Sequence, residues 1–121
     1  DRVRLVIMLL EGLQRFNNAA IKAIGEGDVE GRTENINRSI DILTELCGAL
    51  DMEAGGEIAA NLLKLYDFSI NHLVDANLKN EANAIEAVNR IFEELKKGWE
   101  AISRQDVLRE SVPAVSISYG A

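Results

Sequence analysis

The sequence predicts an all-α fold, an antiparallel up-down-up-down four-helix bundle with a short C-terminal tail. Three observations lead to this prediction. Apolar residues recur every three or four positions in four separate stretches, which is the spacing of one face of an α-helix. The chain has a single proline and is rich in residues of high helix propensity, such as Ala, Leu and Glu. The segments between the stretches are short, so consecutive helices are expected to run antiparallel.

The first helix is predicted over Arg2–Ile24. Gly25 and Gly27 are expected to end it, because glycine readily adopts the left-handed conformation that follows many helices. Asp28 has a side chain suited to the N-cap of the next helix. The apolar face of the first helix consists of Val6, Leu9, Leu10, Leu13, Phe16, Ala20 and Ile24.

The second and third helices are predicted over Val29–Ala49 and Glu57–Leu78. The loop between them begins near Leu50 and ends at Gly55 and Gly56. The apolar stripe of the second helix consists of Ile36, Ile40, Leu43, Cys47 and Leu50. The matching face of the third helix consists of Ile58, Leu62, Leu65, Tyr66, Leu73 and Ala76. Because each stripe covers one side of its helix, both helices are expected to pack on a shared core.

The fourth helix is predicted over Glu81–Arg104, with Asn80 as its N-cap. Residues 1–105 then form one bundle domain, and residues 106–121 form the C-terminal tail. The apolar stripe of the fourth helix consists of Ile85, Val88, Phe92, Leu95, Trp99 and Ile102.

Apolar and polar residues alternate in the tail from Pro113 to Ala121, a pattern typical of a strand. A helical bundle offers such a segment no partner strand. Two interpretations stay open for it. The tail is either a free end, or a segment that docks in a groove of its own or a neighbouring bundle through Val115, Ile117 and Tyr119.

The composition argues against several classes of function. A net charge of −7 repels a phosphate backbone, so nucleic acid is not an expected partner. The sequence has no apolar run of about 18 residues that could span a membrane, and no cleavable signal peptide. Cys47 is the single cysteine, which suggests a reducing, cytoplasmic location. Because the chain begins at Asp1 and not at a methionine, we expect further residues upstream.

The sequence also lacks a set of residues suited to catalysis. One histidine and one cysteine cannot assemble a usual zinc site, and no Glu-x-x-His pair suggests a di-iron bundle. We therefore expect no enzyme, no metal and no cofactor. One alternative is a histidine phosphotransfer domain, which is also a four-helix bundle, using His72. Such a site favours basic neighbours, whereas His72 has Asp75 close by and no lysine before Lys79.

The first helix has more apolar surface than one side of a bundle can bury. Residues Leu5–Leu10 are six consecutive apolar residues, which surround a helix. Two interpretations are open: broad packing with scattered surface apolar residues, or a groove for an amphipathic or extended partner segment. Gly12 fits either, because a glycine in mid-helix costs about 1 kcal/mol and suggests close approach of a neighbouring backbone. Other apolar residues off the main stripes are Ile21, Ile42, Leu63, Phe68 and Ile70.

A long motif occupies the second loop and the third helix. From Leu50 the sequence reads LDMEAGGEIAANLLKLYDFSINHLVDANLKN. It resembles the flagellar secretion chaperone family FliS, whose motif is D-x-x-x-G-G-x-x-A-x-N-L-x-x-L-Y-x-Y/F followed by L-x-x-A-N. The start, DRVRLVIMLLEGLQRF, is similar to the first helix of that family, and Trp99 matches a tryptophan of its fourth helix. Arg2 stands in place of the usual proline, and Phe68 in place of the commoner tyrosine.

The resemblance implies that the protein binds the C-terminal segment of flagellin in the cytosol. FliS proteins keep flagellin from polymerising early and help to deliver it to the flagellar type III export gate. The export gate and other flagellar regulatory proteins are the further partners it implies. A structural adaptor for other flagellar assembly factors is a second alternative. The resemblance also implies an N-terminal segment that covers part of the binding surface before the client arrives, and this segment would precede Asp1.

On this hypothesis the client segment, disordered when free, lies along grooves on the outside of the bundle. Several of the predicted contact residues also fit a role in core packing, and Asn77 also fits a cap at the end of the third helix. The predicted contact residues are Leu5, Met8, Ile36, Ile40, Leu43, Cys47, Tyr66, Ile70 and Asn77.

Overall fold

Four α-helices make up the described part of the chain. The computed structural model describes the backbone of residues 2–110 and the side chains of residues 2–104. No strand occurs within residues 2–110, so the predicted all-α four-helix bundle is confirmed. The helices are α1 (Arg2–Glu26), α2 (Val29–Gly48), α3 (Met52–Lys79) and α4 (Ala82–Glu110).

The helices form a closed ring in which each helix packs against two others. α1 and α3 both contact α2 and α4, and they lie diagonally opposite each other. The start of α1 meets the end of α2, where Arg2 donates a hydrogen bond to the carbonyl of Ala49 (3.2 Å). The start of α2 meets the end of α3, where Arg32 donates to Asn77 (2.9 Å). Neighbouring helices therefore run antiparallel, as expected from their short connections.

The core is built from the predicted stripes of all four helices. The rings of Tyr66 on α3 and Phe92 on α4 stack with centroids 6.0 Å apart. Burial, and to a lesser degree the neighbouring Cys47, raises the pKa of Tyr66 to about 12, so its hydroxyl stays neutral. The buried apolar residues of this core are Leu10, Leu13, Ala20, Ile36, Leu43, Leu46, Tyr66, Leu73, Ala76, Ile85, Val88 and Phe92.

A chain of polar side chains crosses this apolar core. Ser39 of α2 donates to the side-chain oxygen of Asn17 on α1 (2.6 Å), and both side chains are fully buried. The amide nitrogen of Asn17 donates to Asn89 of α4 (3.0 Å), which in turn donates to Asn18 (2.9 Å). Because a buried amide without partners costs free energy, these bonds favour one relative position of the three helices along the bundle axis.

The loop between α2 and α3 is shorter than predicted. α3 begins at Met52, five residues early, because the Asp51 carboxylate accepts hydrogen bonds from the backbone N–H groups of Glu53 (3.1 Å) and Ala54 (3.0 Å). Gly56 then interrupts the helix with a backbone that only glycine adopts readily (φ 52°, ψ −126°). The glycine pair was predicted at the end of the loop, and this is wrong, because the pair lies within α3 and Gly56 kinks the helix.

Asn80 was predicted as the N-cap of the fourth helix, and this is wrong. Its backbone is left-handed (φ 55°, ψ 46°), and its N–H bonds to the carbonyl of Ala76, so it is the C-cap of α3. Asparagine adopts this conformation more readily than most residues, and the lysine before it favours a helix end. The other predicted cap, Asp28, is confirmed, because its carboxylate accepts a hydrogen bond from the N–H of Gly31 (2.9 Å).

α4 is longer than predicted. It continues to Glu110, six residues beyond the expected end at Arg104, so the first residues of the predicted tail are helical. The division into residues 1–105 and 106–121 stays a prediction. The three tail residues expected to dock, Val115, Ile117 and Tyr119, lie outside the described residues.

The hydrogen bonds of the buried Asn17 are expected to stabilise the folded bundle. Asn17→Ala removes the acceptor of the buried Ser39 hydroxyl, and a buried polar group without its partner costs about 1–3 kcal/mol. We expect the free energy of unfolding to fall by about 2 kcal/mol, measured by urea denaturation with circular dichroism. Asn71→Ala, at an exposed position of α3, is the matched control and should change it by less than about 0.5 kcal/mol. Equal effects of the two substitutions would contradict the role of the buried network.

Candidate protein-interaction surface

Three of the predicted contact residues lie inside the bundle. Ile36 and Leu43 are 0% exposed, and Tyr66 is 2% exposed. A partner cannot reach them while the four helices are packed together. Their positions agree with the core-packing role that the apolar stripes also allowed, so the candidate surface is built from the remaining residues.

Four predicted contact residues share the faces of α2 and α3 that the hydrogen bonds of Arg32 and Thr33 to Asn77 join. Ile40, Cys47 and Ile70 are partly buried and pack against the core. Asn77 lies at one end of these faces, where its side-chain oxygen accepts the hydrogen bond from Arg32. Asn77 therefore ties α3 to α2 and does not cap the end of α3. We call Ile40, Cys47 and Ile70 the α2–α3 seam.

The Cys47 thiol lies in this seam. Burial, followed by the negative charge of Asp67, raises its pKa above the ordinary value for a cysteine. Because the thiolate is the reactive form, the thiol is a weak nucleophile at neutral pH. Cys47 therefore behaves as a small apolar side chain at the edge of the core.

The raised pKa of Cys47 predicts slow alkylation. We expect iodoacetamide to modify folded protein more slowly than denatured protein at pH 7.5, with a rate that still rises beyond about pH 9. Mass spectrometry of samples quenched at successive times between pH 7 and 10 measures this. Protein unfolded in urea serves as the control, since its thiol is neither buried nor held close to Asp67, the two causes of the raised pKa. A folded-state rate that levels off below about pH 8.5 would contradict the prediction.

Leu5 and Met8 form an exposed apolar pair on α1. They are 54% and 60% exposed. Within the same run of residues, Val6 and Leu9 pack against the core and Leu10 is fully buried. The consecutive apolar residues are thus divided between core and surface, as expected for a helix that is apolar on more than one side.

Leu5 and Met8 lie on the flank of α1 that faces α2. Residues three, four or seven positions apart share a helix face, so both lie on the same side as Gly12. A Cβ atom added at Gly12 would lie 3.2 Å from the terminal methyl of Ile42 on α2. The close neighbour of Gly12 is therefore a side chain of α2, and not a backbone as predicted.

Arginines border this apolar pair, and they were not predicted as contact residues from the sequence. Arg2 and Arg4 line a shallow concavity of about 480 Å³ together with Leu5 and Met8. Further along α1, the guanidinium carbons of Arg15 and Arg38 lie 5.5 and 5.9 Å from the centroid of the Phe16 ring. Both distances fit cation–π contacts. The signal in the sequence was the recurrence of arginine in an acidic chain.

A different concavity, about 330 Å³ in volume, lies between α1 and α4. Polar side chains line it, and Gln14 donates a short hydrogen bond (2.6 Å) to Glu93. This bond is the main cause that lowers the pKa of the Glu93 carboxyl. The lining residues are Gln14, Asn18, Asn89, Arg90 and Glu93, so the concavity does not suit an apolar segment.

Other exposed apolar residues are scattered over the bundle. Ile58 was predicted on the core face of the third helix but is 70% exposed, two residues after the kink at Gly56. Phe68 is 49% exposed and contacts His72, with ring centroids 4.3 Å apart. The remaining ones are Val29, Met52, Val74 and Leu78.

The described side chains show no arrangement for metal chemistry. Residues 2–104 contain no group of three or more His, Cys, Asp or Glu side chains placed to hold a metal ion. None of the described helices is both long and apolar enough to cross a bilayer. Independently of these absences, the exposed apolar pair on α1 and the partly buried α2–α3 seam offer apolar surface for contact with a partner.

Comparison with known proteins assigns the chain to a family. The family described as flagellar protein FliS matches residues 1–106. The chain belongs to the FliS family. The match covers all of the described bundle except the last residues of α4.

Named FliS proteins are similar to the chain over most of its length. The flagellar secretion chaperone FliS of Salmonella typhimurium is 38% identical over 112 residues, which cover 89% of this chain and 81% of that protein. The flagellar secretion chaperone FliSB of Pseudomonas aeruginosa is 37% identical over 101 residues, covering 83% and 79% of the two chains. The FliS of Bacillus subtilis is 30% identical over 95 residues, covering 78% and 70%.

The residues that carry the FliS motif are mostly structural. Asp51 caps α3, Gly56 forms its kink, and Asn77 ties it to α2. Other motif positions are buried in the core, namely Ala59, Tyr66, Leu73 and Ala76. The part of the FliS motif in the second loop and α3 thus accounts for how the bundle is built. The exposed apolar and basic residues of α1 do not belong to that part of the motif.

Proposed function

We propose that the protein is a cytoplasmic flagellar export chaperone. It binds the disordered C-terminal segment of flagellin, prevents premature polymerisation and assists delivery to the type III export apparatus. Membership of the FliS family is the observation that carries this proposal, together with relatives named flagellar secretion chaperones. No catalytic step is needed, because binding alone keeps the client from assembling.

The energetics of binding require several contact regions. Ordering a disordered segment costs about 2–5 kcal/mol or more. Fully burying one Leu or Met side chain contributes about 1.5–3 kcal/mol, and Leu5 and Met8 are already partly covered. These two residues can offset the ordering cost but leave little net affinity. We infer that the client also contacts the α2–α3 seam on the other flank of α2.

Two alternatives compete with this proposal. In the phosphotransfer alternative, His72 would accept a phosphoryl group, but Phe68 contacts its ring and Lys79 pairs with Asp75 (3.6 Å). The nearest lysine along α3 is thus already partnered. In the adaptor alternative, the same exposed surface would hold another flagellar assembly factor and exclude flagellin. No described contact favours either alternative over the chaperone.

Binding of a flagellin C-terminal peptide tests the proposal directly. We expect isothermal titration calorimetry to show saturable binding, and circular dichroism to show a helical gain in the mixture beyond the sum of its components. A peptide of the same composition in scrambled order is the control. The absence of heat at about 50 µM peptide, where a micromolar complex would be formed, would contradict the chaperone proposal.

The exposed pair on α1 gives a second test. Replacing both Leu5 and Met8 by serine should weaken peptide binding by about 30-fold, since two partly buried anchors are lost. The matched control replaces Val29 and Leu78, which are 60% and 78% exposed at the opposite end of the bundle. The free energy of unfolding, measured by urea denaturation, should change little for either variant, because the replaced side chains are exposed. Equal affinities of the two variants would contradict the placement of the contact on α1.

A further inference from the structure

The charges of the chain are unevenly divided among its helices. The net charge is −7, yet α1 contains four basic side chains and only two acidic ones. The two acidic residues of α1 are Glu11 and Glu26. α1 is therefore a positively charged helix within an acidic protein. Such a separation creates a local field that attracts negative groups to one face.

The positive side chains border apolar ones on the flank of α1 towards α2. Leu5, Met8 and Phe16 span about 16 Å along the helix at 1.5 Å per residue. Ile42 of α2 reaches over Gly12 and extends the apolar surface between them. We call this region the α1–α2 strip, with an apolar line of Leu5, Met8, Phe16 and Ile42 and a basic border of Arg2, Arg4, Arg15 and Arg38.

The arginines of the strip are largely without acidic partners. Of the four strip arginines, Arg38 is the one that forms an ion pair within the described residues, with Glu34 (3.4 Å), and both side chains are well exposed. Arg2 instead donates to the carbonyl of Ala49, which holds it at the end of α2. A guanidinium group is suited to bidentate contact with a carboxylate, so the strip offers several such contacts.

We propose that the α1–α2 strip docks an acidic amphipathic segment of the client. Apolar side chains of that segment pack on the apolar line, and its Asp or Glu carboxylates pair with the arginines. This inference rests on the proposed chaperone function and adds the chemistry of recognition. The charge of the partner contributes selectivity and association rate, while the apolar contacts contribute affinity.

Charge complementarity favours an acidic client segment over three other possible occupants of the strip, namely residues 111–121, a nucleic acid and a second copy of the chain. Residues 111–121 contain no Asp or Glu, so they would leave the arginines without carboxylate partners. A nucleic acid would face the repulsion of the remaining, strongly acidic surface. A second copy of the chain has acidic helices of its own, and it is therefore the competing occupant that the experiment must separate.

The test compares two pairs of arginine substitutions in the full chain. Arg4→Gln with Arg15→Gln removes two charges from the strip, and Arg90→Gln with Arg104→Gln removes two exposed charges from α4. Binding of the flagellin C-terminal peptide is measured by calorimetry at 50 and 500 mM NaCl. We expect the strip variant to bind about tenfold more weakly at low salt and to lose most of the salt dependence. The α4 variant should behave as the unsubstituted protein.

Each other result overturns the inference in a distinguishable way. Equal weakening of both variants would show an effect of net charge alone. If the unsubstituted protein binds the peptide and the strip variant binds equally well, the chaperone function stands and the acidic docking surface is wrong. If the unsubstituted protein fails to bind, the chaperone proposal fails together with this inference. Sedimentation velocity completes the test, since arginine-dependent self-association would assign the strip to a second copy.

Discussion

The hydrogen-bonded contact between Asn17 and Ser39 constrains the rest of the bundle. An apolar heptad core tolerates several sliding positions, because one leucine fits a gap much as another does. A buried amide does not, since sliding α1 by one turn would leave both Asn17 and Ser39 without their partners. The further bond to Asn89 extends the same requirement to α4. Burying these polar side chains costs free energy, but it favours a single arrangement of the helices.

That arrangement decides which residues of α1 face outwards. With Asn17 directed into the core, the helical period places Leu10 and Leu13 inside as well. The same rotation turns Leu5 and Met8 towards solvent, although they belong to one continuous apolar run. An exposed surface that can bind a partner is therefore a consequence of how the core is fixed. The FliS motif of α3 specifies the bundle, whereas the exposed side chains of Leu5 and Met8 are available for contact with a partner.

The sequence was a good guide to the fold because the helical period repeats many times in each stripe. It was a poor guide where a single residue decides the outcome. Asn80 suits either end of a helix, and only its left-handed backbone distinguishes them. Ile40 and Leu43 lie in one stripe, yet Leu43 is fully buried and Ile40 is not. The two residues are three positions apart and therefore point in somewhat different directions around the helix axis, with Ile40 turned towards α3. How much of each side chain is buried then depends on the position of the neighbouring helix.

A chaperone for export must also release its client, and this limits how the surface is built. A deep apolar groove would bind a segment tightly and slowly give it up, because affinity differences arise mostly in the dissociation rate. The described surface is shallow, and its apolar residues are bordered by arginines. Exposed ion pairs contribute little to affinity individually, but they speed association and reject partners of the wrong charge. Recognition by charge with modest apolar burial therefore combines selectivity for a client with ready release.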